Sequence, residues 1–127
     1  MTFRSKSKYG NKKVVVNGIE FHSKKEARRY KELFLLEKAG AISDLRLQEK
    51  FVLIPAQYET FERYGKNGQR LKDGRRLLER EVAYIADFVY IENGKMVVED
   101  TKGMRTPDYK IKRKMMLYFH NIKVKET

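Results

Sequence analysis

Asp87, Asp100 and Lys102 have the residue types and spacing that could hold a hard cation beside a phosphate. They lie in two apolar runs, about 82–91 and 95–102, joined at Asn93-Gly94, a dipeptide suited to the positive φ angles of a tight primed turn. A two-residue loop pairs Glu92 with Lys95, and counting back from there places Asp87 opposite Asp100. Side chains opposed in this way stand about 5 Å apart at Cβ, where two like charges are destabilising unless something neutralises them. Alternation along the strand puts Lys102 on the face of Asp100 and sends Glu99 to the other face, opposite Phe88. That parity selects Asp100 over Glu99 as a ligand. A three-residue loop with a bulge would shift the pairing by one and bring Glu99 or Thr101 opposite Asp87 instead. A surface Asp–Lys salt bridge is the competing reading. Ala83, Ile85 and Val89 around the first acid, and Met96, Val97 and Val98 before the second, weigh against it, because acids at the ends of apolar strands are costly without a partner. Two carboxylates on Mg²⁺ beside a lysine suit phosphodiester hydrolysis: the cation polarises the phosphoryl oxygen and acidifies a bound water, and the ammonium supports the developing charge.

The surrounding elements must position these groups. Val14–Val16, Asn17-Gly18 and Ile19–Phe21 read as a β-hairpin. Ser23 and Glu26 form a capping-box pattern that opens a helix over about 24–39, with Ala27, Tyr30, Leu33 and Phe34 at helical spacing up to Gly40. Leu45–Gln48 and Phe51–Ile54 read as strand, ending at Pro55. Residues 58–80 contain Gly65, Asn67-Gly68 and Asp73-Gly74 among seven basic residues, which predicts a flexible basic excursion, either a DNA-contacting loop or a solvated hairpin. Thr106-Pro107 caps a second helix through Ile111, Met115, Met116, Leu117 and Phe119, and a last strand is expected around Ile122–Val124. The order predicts an α/β (α+β) fold, a mixed central β-sheet flanked by helices.

At 127 residues the chain fits one domain, 14–127, preceded by a basic flexible arm over 1–13. It has no cysteine, which excludes disulfide scaffolding, thiol chemistry and a Cys-based zinc site. With 29 Lys plus Arg against 17 Asp plus Glu the formal charge is +12, pointing to a polyanionic partner rather than charge for solubility alone. The excess is segmental. Arg4, Lys6, Lys8, Lys12 and Lys13 crowd the arm, and eight basic residues accompany Asp108 alone between Lys102 and Lys125. No apolar run is long enough to span a bilayer, so no membrane association and an intracellular location are expected.

Asp87, a twelve-residue spacer and Asp100-Thr101-Lys102 resemble the Asp-spacer-(Asp/Glu)-x-Lys signature of the PD-(D/E)XK nuclease superfamily. Glu26, in a helix after Phe21-His22-Ser23, and the basic helix after the motif are similar in order to the small phage endonuclease I type of Holliday junction resolvases, over about residues 20–125. Two features depart from the pattern: Ala86 stands where a proline often precedes the first aspartate, and the 58–80 excursion is long.

The resemblance implies a restriction-endonuclease-like core and a Mg²⁺-dependent endodeoxyribonuclease, with Mn²⁺ able to substitute. Asp87 and Asp100 would hold the metal with Glu26 and the Thr101 carbonyl, and Lys102 would assist the nucleophilic water. Glu26 keeps a second explanation as the acid of the capping box. DNA contacts are expected from Lys12, Lys13, Arg70, Arg75, Arg76, Arg105, Lys110, Lys112, Arg113 and Lys114. His22 and His120 are weaker candidates for acid catalysis, and Gln48 could reach the site from a neighbouring strand or face solvent. The implied substrate is branched duplex DNA, cut by a phage enzyme in the host cytoplasm, for which a homodimer would supply two sites. A less selective nicking nuclease of the same fold and a non-catalytic DNA-binding module are the alternatives.

Overall fold

The computed structural model describes residues 13–102 and 104–127; Lys12, most of the expected arm and Gly103 lie outside them. β1 (Val14–Val16) and β2 (Ile19–Phe21) form the first hairpin, with Asn17 and Gly18 at φ 51° and 76°. In α1 (Lys24–Lys38), Ser23 Oγ accepts the amide proton of Glu26 at 3.1 Å, an N-cap bond worth about 1 kcal/mol. The two expected pieces of strand after it are one element, β3 (Ser43–Ile54). β6 (Val82–Glu92) and β7 (Lys95–Asp100) form the second hairpin, its ladder running from Glu92 opposite Lys95 to Phe88 opposite Glu99. α2 (Pro107–His120) starts at Thr106, whose hydroxyl accepts from Tyr109 N at 3.2 Å.

One alternative is resolved and one expectation needs correction. Of the two forms open to residues 58–80, a DNA-contacting loop or a solvated hairpin, the chain takes a hairpin. β4 (Gln57–Tyr64) and β5 (Arg70–Glu79) pair antiparallel as a ribbon separate from the main sheet. Both faces of the ribbon are exposed, so neither carries the apolar stripe that marks a strand in sequence. Gly74, which reads as a turn residue, sits mid-strand because the Phe61 ring lies where its Cβ would be. The final strand, β8, spans Lys125–Glu126 rather than 122–124. Asn121 is left-handed at φ 54°, and Ile122 N bonds back to Met116 O, so those residues close α2.

The main sheet is mixed, in the order β3-β6-β7-β8, antiparallel except for β7 with β8. Each face has its own core. Phe21, Ala27, Tyr30, Leu33 and Ile42 pack with Phe88 and Tyr90 under α1, while Tyr109, Met116 and Val124 pack with Leu53, Tyr84, Ala86, Val89 and Val98 under α2. These memberships show a switch in two strands. In β6 Tyr84 and Ala86 face the α2 core, but Phe88 and Tyr90 face the α1 core. In β3 Leu45 and Leu47 lie against the α1 core, and Phe51 and Leu53 belong to the α2 core. Both strands break the two-residue alternation at one level, Gln48 and Asp87, while their pairing runs unshifted from Arg46 to Val52. Gln48 has φ 52°, a left-handed conformation that costs a non-glycine residue of order 1 kcal/mol.

Glu99 does go to the face opposite Asp100, and it is fully buried there. Arg29 donates to it through Nε at 2.5 Å and Nη2 at 3.0 Å, Tyr90 Oη at 2.7 Å and Thr127 Oγ1 at 3.2 Å. Burial alone would raise its carboxyl; Arg29 and Tyr90 outweigh that and hold it below the usual range. Glu99→Gln should therefore cost about 3 kcal/mol in urea denaturation, because it takes from the Arg29 guanidinium its buried carboxylate and leaves it the exposed Glu32 alone. The double variant Arg29→Met/Glu99→Leu should recover most of that loss.

Candidate active site

The face switch places Asp87 where the two helical layers meet. Gln48 Nε2 lies 3.3 Å from Asp87 Oδ1 and 3.3 Å from Glu26 Oε1, bridging the strand acid to the helix acid. Thr101 N donates to Asp87 Oδ2 at 2.9 Å, tying the two motif strands together. Asp100, 1% exposed, accepts from Tyr84 Oη at 2.5 Å through Oδ2. Its Oδ1 has no hydrogen-bond partner among the described residues; the Lys102 ammonium is 3.3 Å away but off hydrogen-bonding geometry. A buried carboxylate oxygen left without a donor, next to a second carboxylate, is a donor set fitted to a hard divalent cation. Glu26 reaches this pair only through Gln48. Among the described residues no three His, Cys, Asp or Glu side chains gather at ligating distance.

The electrostatics follow from crowding three acids. Burial, with Asp87 beside it, pushes the Asp100 carboxyl up to about 7. Glu26 is also raised, by burial and then by Asp87, against the opposing pull of His22 and Lys102. Burial and Asp100 raise the Tyr84 phenol, which keeps it a donor. Lys102 rests over the Tyr109 ring, 4.4 Å from its centre, and its own carbonyl accepts from Lys25 Nζ at 3.0 Å. Thr127 bonds both Lys102 N and Asp100 O, so β8 pins the end of the motif strand.

Glu26's amide serves the helix cap, and the hydrogen bond its carboxylate accepts comes from Gln48, which supports a place in the site rather than a reciprocal capping box. Tyr84, Lys25 and the seat that the buried Tyr109 gives Lys102 are not legible in the sequence. His120 bonds the Val52 carbonyl at 2.7 Å and packs on Phe51, a structural role, whereas His22 lies exposed close to Glu26. Among the basic candidates, Arg105 and Arg113 both pair with Glu126, and Lys13 pairs with Glu20. Lys112 lines an open cleft with Lys102, Tyr84 and Tyr109, while Lys110 and Lys114 are exposed. Arg70, Arg75 and Arg76 are on the β4–β5 ribbon, outside this cluster.

The molecule is thus a mixed α+β protein with one helix on each face of its main sheet and an acidic cluster at the level where two strands change face. Residues 6–127 match the model of a family described as a protein of unknown function, DUF1064, and the chain belongs to that family. No curated protein and no solved structure matches it. No helix among the described residues is long and apolar enough to cross a membrane.

The raised Asp100 carboxyl has a measurable consequence for the metal-free protein. Its proton is held more tightly folded, at about 7, than at the unfolded value of 3.8, so the stability it contributes is complete below pH 4 and lost as pH rises through 7. In EDTA, Asp100→Asn should melt higher than the wild type at pH 8, and the gap should close as pH falls towards 4. An Asn variant that melts lower at pH 8 would count against a destabilising ionised Asp100.

Proposed function

We propose that this protein is a divalent-metal-dependent DNA endonuclease of the PD-(D/E)XK kind, acting on branched or otherwise distorted duplex. The observation that carries this reading is the buried Oδ1 of Asp100, which accepts no hydrogen bond among the described residues and lies beside Asp87 with the Lys102 ammonium 3.3 Å away. Asp87 and Asp100 would hold Mg²⁺, with Mn²⁺ as a substitute, and the bound ion supplies a polarised phosphoryl oxygen and an acidified water.

The chain's own groups do the rest. Tyr84 fixes one oxygen of Asp100 and leaves the other directed to the site. The Thr101 amide and Gln48 fix both oxygens of Asp87. Gln48 also links Glu26 to this pair, so the helix acid lies near enough to accept a proton or orient a water. Lys102, held on the Tyr109 face, offers a positive charge where the attacked phosphorus gains negative charge. Net charge +12 attracts the polyanion that three acids would repel locally.

Supercoiled plasmid, linear duplex and a four-way junction incubated with Mg²⁺ or EDTA provide the test. Cleavage should need Mg²⁺, should be abolished by Asp87→Asn or Asp100→Asn with DNA binding kept, and should fall roughly 100-fold with Lys102→Ala. Full cleavage by either Asp variant would sink the site assignment, and DNA binding that never leads to cutting would sink the nuclease in favour of a binding module.

A further inference from the structure

Among the described residues the β4–β5 ribbon has no role in the acidic site and pairs with no other strand. Every residue of β4 is exposed, and in β5 only Gly74 is partly covered. A two-stranded hairpin with neither face packed is marginal in water, so an element of this length implies something that it lies against. Between 57 and 80 it carries Arg63, Lys66, Arg70, Lys72, Arg75, Arg76 and Arg80 against Glu59, Glu62, Asp73 and Glu79, an excess of three positive charges. The register spreads them along the whole arm: Arg75 and Arg76 stand opposite Thr60 and Glu59 towards the base, and Arg63, Lys66, Arg70 and Lys72 lie towards the tip.

Local contacts hold two of the basic side chains in shape. Arg75 lies 3.9 Å from the centre of the Tyr58 ring on one face, and Arg76 lies 4.8 Å from the centre of the Phe61 ring on the other. A guanidinium stacked by its plane keeps its edge N–H groups for an outside acceptor. Arg70 and Arg76 are paired with Asp73 and Glu59, while Arg63, Lys66, Lys72 and Arg75 make no ion pair among the described residues. Strands of eight and ten residues give an arm about 30 Å long, close to the turn of B-DNA at about 34 Å. The major groove of B-form duplex, about 12 Å wide, admits a two-stranded ribbon, and that of A-form duplex is too narrow. The arm also continues the two strands that carry Gln48 and Asp87: only Pro55 and Ala56 separate β3 from β4, and Arg80 and Glu81 separate β5 from β6.

We propose that the β4–β5 ribbon is a docking arm for B-form duplex DNA, lying in its major groove and holding its phosphates through Arg63, Lys66, Lys72 and Arg75. The choice of DNA as the polyanion rests on the cleavage reading of the acidic site; the need for a polyanionic partner does not. The ribbon is then the part that grips intact duplex, at a distance along the same two strands from the bond to be cut.

Fluorescence anisotropy on a 30-base-pair duplex in Ca²⁺, over a series of salt concentrations, tests this. The variant Arg63→Gln/Lys66→Gln/Lys72→Gln/Arg75→Gln should bind at least tenfold more weakly, with the slope of log K against log salt reduced by about 3.6 if all four reach phosphates. Arg63→Lys/Arg75→Lys, which keeps the charge, should stay within a few-fold of wild type. Hydrogen exchange over 57–79 should be fast in the free protein and slowed by B-form DNA, and slowed far less by an RNA duplex. Unchanged affinity and slope in the neutralised variant would overturn the inference. So would protection that grows with protein concentration in the absence of DNA, which assigns the ribbon to a second copy of the chain. The two readings fail separately: ribbon-dependent binding without cutting removes the nuclease, and cutting without ribbon-dependent binding removes the arm.

Discussion

The acidic site depends on one constraint, that β3 and β6 change face together at Gln48 and Asp87 without losing register. Strict alternation would have committed Asp87 to one layer, under α1 or under α2. Glu26 comes from the first layer, and the Tyr84 that fixes Asp100 comes from the second. A residue at the switch can meet both. The left-handed backbone of Gln48 is the local cost, and its amide is the link that results, with one carboxylate on either side. A single strand breaking alternation alone would have exposed apolar residues such as Phe88 or Leu53 to the wrong layer. Breaking it in both strands at the same level keeps each core closed.

The two acids at the end of β7 show how neighbouring residues are given opposite tasks by their surroundings. Glu99 has every oxygen supplied with donors and is held ionised by Arg29, so it ties α1 to the sheet. Asp100 has one hydrogen-bond donor, a second oxygen that only the Lys102 ammonium approaches, and a second acid beside it, and burial with that acid raises its carboxyl. The first arrangement stabilises the fold. The second is a destabilising feature that a bound cation would relieve, the pattern expected where a site is selected for chemistry rather than for stability.

Much of this was legible in the sequence, for identifiable reasons. Asn93-Gly94 fixes the β6–β7 turn, and the register expected from a two-residue loop holds from Glu92–Lys95 to Phe88–Glu99. Ser23 and Thr106-Pro107 mark both helix starts. The face switch was hidden because β6 is covered on both sides: Phe88, Val89 and Tyr90 are all buried, and a strand with two apolar faces has no alternation to break visibly. The ribbon was hidden for the opposite reason, having no buried face at all. Tyr84 and Tyr109 are apolar-strand and helix aromatics by sequence, and only the fold brings their hydroxyl and ring to Asp100 and Lys102.

Calorimetric titration of the protein with Mn²⁺ at pH 8, without nucleic acid, tests most directly whether the Asp87–Asp100 pair is a cation site made by this geometry. The account predicts saturable binding by the wild type that Asp87→Asn and Asp100→Asn each abolish, with Glu26→Gln weakening it less because that acid reaches the pair only through Gln48. No binding by the wild type, or binding left intact in both Asp variants, would contradict it.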